Sequence, residues 1–152
     1  MLPCILRVRV RRSDSMRIAI DTSVLIGSLT KARGAGARIV RAWFDGRFEV
    51  VSSEATLREA RLVLDSQWLK RMVPKGRVDA LLQHLEMRSI RVRGSRIKDL
   101  PLKDEGDQRL VEAAVEGQAA YLVTADRELL RYRGYGGTEF VSPTELLKRL
   151  PS

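Results

Sequence analysis

The chain predicts an α/β fold with a mostly parallel central sheet covered by helices on both faces, and three observations carry that expectation. Short apolar runs of strand length alternate with segments whose apolar residues recur at helical spacing. Several of the apolar runs end on, or just before, an acidic residue. In an open parallel sheet the carboxyl ends of the strands face one crevice, so such residues converge although they lie far apart in sequence. No internal repeat or low-complexity tract interrupts the alternation.

Ile18-Ala19-Ile20 reads as a buried strand running into Asp21-Thr22-Ser23. Val24-Leu25-Ile26-Gly27 follows too quickly for a hairpin and predicts a short helix. Gly34 and Gly36 mark the next break. Ile39, Val40, Trp43 and Phe44 then fall at helical spacing, and Asp45-Gly46 closes that helix. Phe48-Glu49-Val50-Val51 is a short strand. Ser52 or Ser53 is the N-cap of a helix through Leu64, with Leu57, Ala60 and Leu64 on one face and Glu59 near its middle. Residues 66–87 are expected to be helical with a break at Pro74, read as the first residue of a new helix. Residues 89–92 alternate as a half-buried strand, and a polar loop follows over 94–105. Residues 107–116 carry Leu110, Val111, Ala114 and Val115 at helical spacing. Residues 121–124 form a buried strand and 126–130 a short helical turn. Gly134-Tyr135-Gly136-Gly137 reads as a flexible loop, lacking the lysine and following helix of a phosphate-binding loop. Residues 139–141 give a last strand, and Ser142 with Glu145 forms a capping-box pattern for a final helix.

Composition narrows the function classes. A chain of 152 residues fits one domain able to bury about 68–70% of its unfolded surface, so it needs no covalent staples. The single cysteine, Cys4, has no internal partner, which suits a reducing compartment. No stretch reaches the roughly 20 apolar residues of a membrane span, and the expected location is the cytoplasm. With 28 basic residues against 19 acidic ones the formal net charge is +9, which favours a polyanionic partner. Residues 1–15 make a basic N-terminal extension containing Arg7, Arg9, Arg11 and Arg12. It is either a start-site artefact, with Met16 the natural first residue, or an arm that touches nucleic acid. The fold pattern begins at Met16 and the extension has no periodic face, which favours the artefact and sets the functional domain at 16–152.

Four acidic positions stand out: Asp21, Glu59, Asp107 and Asp126. Converging carboxylates repel one another unless something positive lies between them. Hydrolysis of a phosphodiester with two metals needs such hard oxygen ligands, and Mg²⁺ or Mn²⁺ prefers them, so no catalytic histidine or cysteine is required. Each residue also has a plain alternative. Asp21 is placed to cap a helix, Asp107 and Asp126 to complement a helix dipole, and Glu59 to be solvated beside Arg58 and Arg61. Arg33, Arg38, Arg41, Arg127, Arg131 and Arg133 are candidate guides for an RNA backbone, although charged residues are mostly just solvated. Trp43 and Trp68 are read as packing residues rather than stacking platforms, and His84 as an exposed or partly packed helix residue.

At this point the chain resembles the PIN-domain family of nucleases. The resemblance rests on the strand into Asp21-Thr22-Ser23-Val24-Leu25-Ile26, the helix bearing Glu59, the segment Asp107-Gln108-Arg109-Leu110-Val111-Glu112-Ala113-Ala114, and Tyr121-Leu122-Val123-Thr124-Ala125-Asp126. It implies a three-layer α/β/α sandwich and a Mg²⁺- or Mn²⁺-dependent ribonuclease. It further implies an RNA substrate, a role as the toxin of a toxin–antitoxin pair with a cognate antitoxin protein, and a homodimer. Within the resemblance Asp21, Asp107 and Asp126 are the metal ligands, and Glu59 completes the catalytic set at its edge. Thr22, Ser23 and Thr124 are auxiliary residues that orient a ligand or a water. Gly106 stands where many relatives carry another acid, so Asp104 or Glu105 is an alternative to Asp107 as third ligand. Two other readings remain open. One is a nucleic-acid-binding module of the same fold with a degenerate site. The other is an Asp-dependent phosphatase or phosphate receiver, which would want a second Asp where Ser23 stands, or an acidic pair before Asp21.

Overall fold

The computed structural model describes residues 15–151. The extension expected over 1–15, with Cys4, lies outside the described residues except for Ser15. The chain runs β1 (Arg17–Ile20), α1 (Thr22–Thr30), α2 (Ala35–Phe44), β2 (Glu49–Ser53), α3 (Glu54–Leu64), α4 (Gln67–Met72) and α5 (Lys75–Arg88). It continues through β3 (Ile90–Val92), α6 (Glu105–Glu116), β4 (Tyr121–Val123), α7 (Arg127–Arg131), β5 (Gly134–Tyr135), β6 (Thr138–Val141) and α8 (Pro143–Arg149). The strands form one sheet in the order β3-β2-β1-β4-β6-β5. All neighbouring pairs are parallel except β5 with β6.

Side-chain alternation along the strands explains the layers. Ile18 and Ile20 point to one side of the sheet and Ala19 to the other; Val50 and Val51, Val123 and Leu122, and Val141 and Phe140 divide the same way. Because both faces are apolar, the central strands β1 and β4 read as hydrophobic runs rather than alternating ones, whereas β3 at the edge alternates. Leu25, Ile39, Leu57, Leu81 and Leu146 bring α1, α2, α3, α5 and α8 onto the first face. Leu110, Val111, Ala114 and Leu129 bring α6 and α7 onto the second. The result is the expected three-layer α/β/α sandwich.

Several local expectations change in detail. α6 starts at Glu105, two residues early, because Asp104 Oδ1 accepts the Asp107 amide at 2.9 Å and caps the helix. Pro74 is the N-cap of α5 rather than its first residue. Ser142 Oγ accepts the Glu145 amide at 3.1 Å, while the Glu145 carboxylate turns to Arg149 at 3.2 Å. The expected flexible loop at 134–137 is instead a hairpin: Tyr135 pairs with Thr138 across Gly136 and Gly137, at φ +56° and +89°. Two consecutive residues at positive φ are the requirement of a tight two-residue hairpin turn, which glycine meets without strain. Trp43 is core, as expected, but Trp68 is 47% exposed. His84 stacks on Phe44, with ring centroids 3.9 Å apart.

Candidate functional site

The parallel register carries the first acid into place. Ile20 pairs with Val123, so the residues just beyond β1 and β4 emerge side by side at the carboxyl edge of the sheet. Asp21 occupies the N-cap position of α1, yet its carboxylate makes no capping bond. It accepts a 2.5 Å hydrogen bond from the Thr124 hydroxyl. Thr124 is wholly buried, and its Oγ1 also accepts the Asp126 amide at 3.0 Å. One hydroxyl thus joins Asp21 to the turn that presents Asp126. Ser23 adds a second tie across the same edge, its Oγ accepting the Ala125 amide at 3.3 Å.

The other acids arrive from helices. β2 ends at this edge and passes directly into α3, whose Ser53 and Thr56 form a reciprocal cap at its start. Glu59, one turn further on, has its carboxyl pushed up by partial burial, by Asp21 and by Asp104, with a hydrogen bond from Thr22 opposing the shift. Asp107 lies in the first turn of α6. Its carboxyl is pushed up from 3.8 to about 6, first by burial and then by the negative charges of Asp104, Asp21, Asp126 and Glu59. Asp107 therefore lies within electrostatic reach of the other four carboxylates.

Among the described residues, none of Asp21, Glu59, Asp104, Asp107 or Asp126 has a Lys, Arg or His ion-pair partner within 4.0 Å. Such a set of hard oxygens suits Mg²⁺ or Mn²⁺. As the side chains stand, no group of three or more acidic, histidine or cysteine residues among the described residues is placed to hold a metal ion. Mg²⁺ does not require such a group, since it typically takes one or two carboxylates and keeps several waters.

The plain roles are divided among the acids. Asp126 Oδ1 caps α7 by accepting the Glu128 amide at 2.9 Å, and Asp104 Oδ1 caps α6, so each commits one oxygen to a helix. Asp21 and Asp107 spend no carboxylate oxygen on a cap. Glu105, the other alternative ligand, is turned to Arg109 at 2.6 Å and is largely exposed. Arg33, Arg38, Arg41, Arg127, Arg131 and Arg133 are all exposed.

Gly106 has a spatial explanation. A Cβ there would stand 2.5 Å from Glu59 Oε1 and 3.1 Å from Asp104 Oδ1. The missing side chain is the room through which Glu59 reaches the crevice.

Sequence reasoning missed Glu112. It is 1% exposed on α6, where Oε2 accepts the Ile97 amide at 2.9 Å and Oε1 accepts from Arg109. One turn on, Glu116 accepts the amides of Arg93 and Ser95 at 2.9 and 2.7 Å, which holds its carboxyl below the usual range. The two acids clamp the long loop that delivers Asp104. The signal in sequence was their i, i+4 spacing opposite a polar segment, but nothing marked Glu112 as buried.

A family model described as PIN domain matches residues 17–128. No curated protein matches the chain by sequence. Among solved structures, a chain of VapBC2 from Rickettsia felis, bound to a DNA fragment from their promoter, has a similar fold. It aligns with a TM-score of 0.59 at 14% identity, over 84% of this chain and 98% of that one. Among the described residues no helix is long and apolar enough to cross a membrane.

Proposed function

The chain belongs to the PIN-domain family, and from that premise we propose that it is a Mg²⁺- or Mn²⁺-dependent endoribonuclease acting in the cytoplasm as the toxin of a toxin–antitoxin pair. The single observation that carries the reading is a group of five carboxylates that have no ion-pair partner among the described residues, one of them pushed up to about 6 by burial and by the others. Asp21 and Asp107 are the principal metal ligands, Asp126 completes the site, and Glu59 and Asp104 stand at its edge. A divalent ion there supplies neutralising charge and Lewis acidity toward water and phosphate oxygens.

The chain's own groups do the rest. Thr124 holds one Asp21 oxygen and leaves the other for ligation. Thr22 steadies Glu59, and Ser23 steadies the turn before Asp126. Exposed arginines attract the RNA backbone without reading its sequence. Residues 16–152 form the nuclease domain. The antitoxin partner and a homodimer complete the proposal; the likeness of fold to a VapBC2 chain supports the former.

The test is cleavage of a mixed single-stranded RNA pool with Mn²⁺ or Mg²⁺, alongside EDTA and Asp21→Asn. Metal-dependent cutting that disappears in both controls is expected. Undiminished cutting by Asp21→Asn sinks the mechanism, and RNA binding without cutting under any metal favours a binding module with a degenerate site.

A further inference from the structure

Beside Asp107 the surface opens into a groove of about 450 Å³ between the start of α6 and the end of α7. Its apolar lining is Leu102 and Leu129, both buried, and the ring of Tyr132. Tyr132 is 46% exposed, yet its hydroxyl donates to the Pro101 carbonyl at 2.8 Å, so the ring is tied at its tip to the loop across from α7. Lys103 and Arg131 line the same groove and, among the described residues, neither has a carboxylate ion-pair partner.

We propose that this groove is a nucleotide subsite, in which the base flanking the scissile phosphate stacks on Tyr132 and the adjoining backbone phosphate meets Lys103 and Arg131. The proposal rests on the ribonuclease reading of the neighbouring acids. The volume lies in the range of small-ligand pockets, and an immobilised exposed ring over aliphatic side chains is the kind of platform on which single-stranded bases stack irrespective of sequence. Charge fixes the polarity of the occupant. Asp104, Asp107 and Glu128 also line the groove, so a bare anion is repelled from the acidic end. A nucleotide avoids that conflict by placing its uncharged base against the ring and its phosphates at the cations.

The experiment compares two oligoribonucleotides, one intact and one abasic at the nucleotide next to the cut, in Mn²⁺ cleavage and in EDTA binding. The proteins are wild type, Tyr132→Leu and Tyr132→Phe, each with its fold checked by urea denaturation. Wild type is expected to favour the intact substrate on the order of ten-fold in KM. Tyr132→Leu removes that preference, and Tyr132→Phe, which keeps the ring, restores it. A Tyr132→Leu protein that retains the full base preference overturns the subsite. So does unchanged RNA affinity accompanied by weakened binding of a protein partner, which assigns the groove to a protein side chain. If wild type cleaves no RNA but binding still loses its base preference in Tyr132→Leu, the nuclease reading fails and the subsite stands.

Discussion

Replacing Asp107 with Asn is expected to stabilise the metal-free protein while disabling its metal site. Asp107 is pushed up from 3.8 to about 6 by burial and by four neighbouring carboxylates, and among the described residues its own carboxylate makes no hydrogen bond. A carboxyl whose folded pKa is raised favours the folded state only while it stays protonated. Its contribution is present below about pH 4 and is lost as pH rises through about 6. The full shift corresponds to roughly 3 kcal/mol at about 1.4 kcal/mol per unit. Solvent screening of this partly exposed group reduces that to about 1–2 kcal/mol. Asparagine keeps the shape without the charge, so in EDTA at about pH 7.5 the variant gains about 1–2 kcal/mol, and near pH 4 the two proteins converge. Urea denaturation at the two pH values measures this, and thermal melts with Mn²⁺ complete it, because the ion should raise the melting point of wild type and not of the variant. Equal or lower stability of Asp107→Asn at neutral pH in EDTA would refute the claim that these carboxylates strain one another.

Gly106→Ala tests whether Glu59 reaches the crevice through the space above α6: the new methyl, 2.5 Å from Glu59 Oε1, forces a flexible side chain aside rather than backbone. Helix propensity favours alanine by up to about 1 kcal/mol, so stability holds or rises slightly while Mn²⁺ affinity by calorimetry falls; unchanged affinity would show that Glu59 contributes nothing there. Glu112→Ala removes the acceptor of the Ile97 amide and one of the two carboxylates that pair with Arg109, and should cost about 1–3 kcal/mol in urea denaturation. A loss under about 1 kcal/mol would mean the clamp on the loop is dispensable.

The acids were legible because their placement follows from topology. A strand-end aspartate in a parallel sheet has only one crevice to enter, so Asp21 and Asp126 were marked by position alone. Asp104 was visible as an acid but not as the residue that sets the start of α6, because a cap is decided by which backbone amides are left unpaired. Glu112 was invisible for a related reason. Its burial depends on a loop folding over α6, a contact between segments with no common periodicity.

By itself, then, the sequence determined the alternation of strand and helix, the two apolar faces of the sheet, and which carboxylates stand at the strand ends, because these depend on local period and chain order. Tertiary structure alone decided that Thr124 binds Asp21, that the gap at Gly106 admits Glu59, and that Glu112 holds the loop before Asp104. Those are contacts of ångström reach between residues far apart in the chain, and only the packed layers set such distances.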